Sequence, residues 1–84
     1  MTTATVKLYA SLSSYLPPGA YRNAIELTLP DDATVMSALD QLNVPQAHCH
    51  LLLLNGVFVA PSRRASLLVK NGDTIAAWPP VAGG

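Results

Sequence analysis

The run Leu51-Leu52-Leu53-Leu54-Asn55-Gly56-Val57-Phe58-Val59-Ala60 restricts the fold more than any other stretch of the chain. Asn-Gly is the preferred two-residue connection of a type I′ hairpin, because both central residues need positive φ. That turn sets the register: Leu54 faces Val57, Leu53 faces Phe58 and Leu52 faces Val59. Alternation then puts Leu52, Leu54, Val57 and Val59 on one side of the ladder. Leu51, Leu53, Phe58 and Ala60 fall on the other. Both sides are apolar. One must cover a helix, and the other is exposed unless a partner covers it.

The remaining segments supply that helix and further strands. Thr5-Val6-Lys7-Leu8-Tyr9 alternates, with Val6 and Leu8 on one face. Ser11 is placed to cap a short turn carrying Leu12, Tyr15 and Leu16 on one side, and Pro17-Pro18-Gly19 stops it. From Tyr21 to Leu29 the chain alternates again, with Ile25, Leu27 and Leu29 opposite Ala24, Glu26 and Thr28. This predicts a second strand, antiparallel to the first. Thr34 is the expected N-cap of a helix of about nine residues, with Asp31 and Asp32 near the positive end of its dipole. Val35, Met36, Leu39 and Leu42 form its apolar stripe, Asn43 suits a left-handed cap, and Pro45 forbids continuation.

Pro61 to Val69 reads as a connection in which Leu67 and Leu68 tuck under the sheet, and Asn71-Gly72-Asp73 as a tight turn. The last strand is Thr74 to Trp78, with Ile75 and Ala77 on one side and Thr74, Ala76 and Trp78 on the other. Strand, strand, helix, strand, strand, strand predicts an α+β fold: a mixed sheet of about five strands with one main helix packed on one face. Residues 1–78 are expected to form the domain and 79–84 a flexible Gly-Gly tail.

Composition narrows the function classes. At 84 residues the chain makes one domain. A single cysteine, Cys49, excludes an internal disulfide and suits a reducing compartment. Charged residues are 12% of the chain, about half the usual share, so part of the apolar surface is expected to face a partner. The net charge is zero with no basic stripe, which argues against nucleic acid. No signal peptide follows Met1, and no apolar run is long enough to cross a bilayer, so a soluble, cytoplasmic protein is expected, without a membrane partner.

Other candidate chemistry is thin. His48-Cys49-His50 on an extended segment would put both imidazoles on one side, but zinc wants a third and usually a fourth ligand. The chain holds no other histidine or cysteine, so no metal site is assigned. Cys49 lacks a recognisable base for nucleophilic work. Arg63-Arg64 reads as a solvated loop or as a dock for an acidic patch.

The sequence closes on Trp78-Pro79-Pro80-Val81-Ala82-Gly83-Gly84. A carboxylate on a strip without side chains can thread a narrow channel and present one reactive carbonyl. Pro79-Pro80 holds the start of that strip extended, and Gly83-Gly84 keeps it narrow. Together with Asn71-Gly72-Asp73 before the last strand, the opening Val6-Lys7-Leu8-Tyr9-Ala10-Ser11-Leu12 and the helix start Thr34-Val35, this tail resembles the ubiquitin-like β-grasp sulfur carriers. Within them it looks most like the small subunit of molybdopterin synthase, with the thiamine-pathway carrier as a sibling.

The resemblance implies a carrier and substrate, not an enzyme. A ubiquitin-activating-type adenylyltransferase would use ATP to adenylate the Gly84 carboxylate. A sulfur donor would convert the adenylate to a thiocarboxylate. That sulfur would serve molybdopterin (molybdenum cofactor) synthesis in a large catalytic subunit. No bound cofactor is implied for the carrier itself. Gly84, with Gly83, is then the reactive end. Leu53, Phe58 and Trp78, opposite the core-facing side chains, are expected to join Pro79, Pro80 and Val81 in binding partners. The Asn55-Gly56 hairpin is equally at home in thiamine-type carriers. Carriers for thiamine or transfer-RNA thiolation, a ubiquitin-like protein modifier, and an interaction module with an inert tail are the competing readings.

Overall fold

A computed structural model describes residues 1–80. The strands are β1 (Thr2–Leu8), β2 (Ala24–Leu29), β3 (Leu51–Leu54), β4 (Val57–Phe58) and β5 (Thr74–Trp78), and the helix is α1 (Val35–Gln41). Three 3₁₀ segments, Ala10–Tyr15, Gln46–His48 and Pro61–Arg63, make connections. The sheet order is β2-β1-β5-β3-β4. β1 pairs antiparallel with β2, β5 lies parallel to β1 and antiparallel to β3, and β3 and β4 form the Asn55-Gly56 hairpin. The expected α+β β-grasp arrangement, five mixed strands and one main helix, is the fold. Of the tail expected over 79–84, residues 81–84 lie outside the described residues.

Alternation decides which side chains enter the core. Ala4, Val6 and Leu8 of β1, Leu27 and Leu29 of β2, Leu52 of β3, and Ile75 and Ala77 of β5 are buried on one side of the sheet. Val35, Ala38, Leu39 and Leu42 close the core from the helix side. Thr34 caps α1 as expected, and the cap is reciprocal. Its hydroxyl accepts the Ser37 N–H at 3.2 Å, while Ser37 Oγ accepts the Thr34 N–H at 2.8 Å. Asn43 takes a φ of 62°, and its N–H donates to the Asp40 carbonyl, so the left-handed exit is also as expected.

Several details depart from expectation. β1 starts at Thr2, because its antiparallel register with β2 extends to Thr2↔Leu29. β2 begins at Ala24 instead of Tyr21. Arg22 and Asn23 both adopt positive φ and make a two-residue turn closed by reciprocal Tyr21 and Ala24 backbone bonds. Ser11 does not cap the first 3₁₀ turn: the cap position is Tyr9, without a side-chain bond. α1 has seven residues, and Ala38 replaces the half-buried Met36 on its inner stripe. In the connection Leu68 is 52% exposed and Val69 is buried instead, because the chain there is extended enough to bridge Thr34↔Leu68 and so alternates. Val57, expected inside with Leu54, is exposed, since β4 is short and the tip of the hairpin overhangs the core.

Candidate functional site: the outer sheet face and the end of strand β5

The site is built by the position of β5. As the middle strand, it places Trp78 next to Leu51 of β3 and Ala77 next to Leu8 of β1. Two bonds fasten its final turn of backbone: the Tyr9 N–H donates to the Ala77 carbonyl at 3.2 Å, and the His50 N–H to the Trp78 carbonyl at 2.9 Å. Pro79, half-buried, and Pro80, exposed, follow directly. Proline cannot donate to a ladder, and β5 ends at Trp78.

The registers define the outer face. Across one row run Phe58, Leu53, Ala76, Lys7 and Ala24, and one step toward the end of β5 lie Leu51 and Trp78. No helix covers this side. Phe58 and Leu51 are exposed, while Leu53 and Trp78 are half-buried. Leu53, Phe58 and Trp78 thus share the outer face, with Phe58 on the edge strand and Trp78 at the end of β5, directly before Pro79 and Pro80. Val81, Gly83 and Gly84 lie outside the described residues.

Trp78 is held by a contact that sequence pattern did not reveal. Tyr9 stacks on it with ring centroids 4.6 Å apart and planes 7° from parallel. Such pairs contribute about 0.5–1.5 kcal/mol beyond area burial. The parallel β1–β5 register is what aligns the two rings. Because parallel partners are not joined by a turn, nothing local in the sequence announces the pair.

The His48-Cys49-His50 segment does not have the extended geometry on which a two-imidazole site depended. His48 ends a 3₁₀ turn, Cys49 is buried, and His50 begins the approach to β3. No group of three or more His, Cys, Asp or Glu side chains fit to hold a metal ion exists among the described residues. Arg64 is the residue sequence reasoning missed. It is 2% exposed, not solvated, and its Nη1 donates to the Cys49 carbonyl at 2.8 Å. Its neighbour Arg63 is exposed, and two adjacent arginines carry no sequence signal for that division. Burial pushes the Cys49 thiol up, against a smaller opposing pull from the Arg64 charge. A protonated, buried thiol is a poor nucleophile.

The described residues therefore present an apolar outer face beside the end of β5. Strand order and helix together define a ubiquitin-like β-grasp protein. The chain belongs to the Mut7-C ubiquitin family, whose model matches residues 1–83. Among solved structures, it is similar to small archaeal modifier protein 1 of Haloferax volcanii, with 25% identity and a TM-score of 0.71 over 96% of this chain and 100% of that one. A molybdopterin converting factor subunit 1 candidate from Pyrococcus furiosus shares the fold at 19% identity and a TM-score of 0.70, over 96% of this chain and 100% of that one. So does the thiamine biosynthesis protein ThiS of Geobacter metallireducens, at 19% identity and a TM-score of 0.61, over 95% and 99% of the two chains. No curated protein sequence matches significantly.

Proposed function

We propose that this protein is a cytoplasmic sulfur carrier whose Gly84 carboxylate is converted to a thiocarboxylate, and that the sulfur serves molybdopterin synthesis. The observation that supports this reading most is the course of β5. The strand is pinned in the middle of the sheet, and Trp78-Pro79-Pro80 follows it beside an apolar outer face that no helix of the described residues covers. A partner that grips this face receives the following residues at a defined point.

The chemistry requires little of the carrier itself. A carboxylate resists attack by sulfur because its leaving group is oxide. Transfer of the adenylyl group of ATP to the Gly84 carboxylate, with loss of pyrophosphate, supplies a good leaving group. A sulfide-level donor then displaces AMP and leaves a C–S bond. The adenylyltransferase and the acceptor subunit provide the catalytic groups, and the carrier supplies a narrow lead whose last two residues, Gly83 and Gly84, have no side chains. Entry into a buried site is favoured by a lead already held extended by prolines, since less conformational freedom is lost.

Reconstitution tests the pathway. The charged carrier is mixed with the large subunit of molybdopterin synthase and its sulfur-free precursor, or with a thiazole-forming synthase, and product is quantified. Dithiolene product from the first mixture alone is the expected result. Thiazole product, or a covalent conjugate on lysine side chains of other proteins, would reassign the carrier to thiamine synthesis or to protein modification. Failure of any thiocarboxylate to form would favour a plain interaction module.

A further inference from the structure

Away from the end of β5, a cavity of about 220 Å³ opens beside the β4 edge, between the hairpin and the Pro61–Arg63 turn. Leu54, Val57, Val59, Ala60 and Leu67 give it apolar walls, Phe58 flanks it, and Arg63 is its one charged lining residue. No carboxylate of the described residues pairs with Arg63. We propose that this edge docks an extended peptide segment of a protein partner, bearing a bulky apolar side chain and, two residues away, an aspartate or glutamate.

The hairpin register carries the argument. β4 is the last strand of the sheet, so its far edge has no strand partner among the described residues. Leu54 and Val57 close the two-residue turn, and the Val59 N–H donates to the Leu52 carbonyl at 2.9 Å. Antiparallel pairs alternate between bonded and non-bonded, so the intervening Leu53–Phe58 pair is the non-bonded one. The Phe58 N–H and C=O accordingly point away from β3, toward the open edge. An extended segment can pair with both by strand addition.

Alternation in that added strand then fixes its side chains. The residue opposite Phe58 points to the outer face, and its two neighbours point to the side of Val57 and Val59, where the cavity lies. One neighbour fills the space between Leu54, Val59 and Leu67. The other meets Arg63 and must be acidic for its charge to be complemented. A peptide meets these requirements better than a compact ligand, because two backbone groups and two side-chain positions are used at strand spacing. The proposal does not depend on the sulfur-carrier reading.

Titration of the isotope-labelled full chain with acetyl-Thr-Leu-Thr-Glu-Thr-amide and its reordered form acetyl-Thr-Glu-Thr-Leu-Thr-amide tests it by NMR, since the strand direction is set by which order binds. One peptide should shift the Phe58 amide and the methyls of Val57, Val59 and Leu67 saturably, at an affinity of order millimolar. Replacing its glutamate by lysine should weaken binding about two- to fivefold, the range of an exposed ion pair. Arg63→Glu, at an exposed position, should reverse that preference, and N-methylation of the central threonine should abolish binding. No saturable shift, equal binding of the glutamate and lysine forms, or shifts confined to Leu51, Leu53 and Trp78 would each overturn the proposal.

Discussion

The two sides of the sheet are made of the same kinds of residue and have opposite fates. Leu52, Ile75 and Ala77 on the inner side are completely buried, while Leu53, Ala76 and Trp78, their immediate chain neighbours, remain in partial contact with solvent. Hydrophobicity alone does not separate them. The difference is that one helix exists and can cover only one side. Apolar content measures the total surface to be covered, and topology determines how much is left for another molecule. In this chain the leftover surface adjoins the end of β5, which is why packing and the proposed carrier role meet there.

The inner side should be the more sensitive of the two to truncation. Leu39 is fully buried on α1, and Leu39→Ala should lower stability by about 2–5 kcal/mol in a denaturant titration. For an 84-residue domain that is a large part of the total. A loss below about 0.5 kcal/mol would mean that the helix does not hold the core as described.

Trp78→Ala sharpens the boundary between the sides. Half-buried and stacked on Tyr9, it should cost the free domain about 1–2 kcal/mol, less than the 3–5 typical of a fully buried aromatic. Calorimetric titration against the activating enzyme or the large subunit should show a further loss of at least about 2 kcal/mol on docking. A variant that melts the domain while its folded fraction binds normally would assign Trp78 to the core alone.

Leu53→Arg should be the mildest change to folding, within about 0.5 kcal/mol, because the long side chain reaches water from the outer face. It should nevertheless disrupt docking. Unfolding of the free domain by this substitution would show that the outer side is as closely packed as the inner one.

Cys49 gives a pH handle on the inner side. Its folded pKa lies above the ordinary thiol value, so the folded state keeps a proton that the unfolded chain releases. The corresponding stability is fully present below the ordinary thiol range and falls as pH rises through it toward the raised value. Cys49→Ser should flatten that alkaline slope. A thiol reagent should label Cys49 only at the rate of unfolding, and rapid labelling of the native protein would contradict its burial.

Most of the fold was legible because it is written locally. Asn55-Gly56 dictated a hairpin, Thr34 a helix start, Asn43 its end, and alternation in β1 and β5 named Val6, Leu8, Ile75 and Ala77 as core. The missed features are those that depend on partners distant in sequence. The parallel β1–β5 pairing, the Tyr9–Trp78 stack it creates, and the burial of Arg64 against the Cys49 carbonyl arise only after the chain has closed on itself. Leu68 and Val69 exchanged places because a one-residue shift in an extended segment reverses which side chain faces in. At the candidate site, the outer-face residues followed from hairpin register, whereas their shared position beside β5 required the strand order.

Sulfur carried on Gly84, as proposed for this domain, is visible by intact mass spectrometry. The purified protein is incubated with its adenylyltransferase, ATP and a sulfide donor, alongside a form with one residue appended after Gly84. The unextended protein should gain the mass of one oxygen exchanged for sulfur, alkylation should trap the new group at Gly84, and the extended form should stay unchanged though equally folded. An unextended protein that never gains that mass, or an extended form that gains it without cleavage, would rule out sulfur transfer through the Gly84 carboxylate.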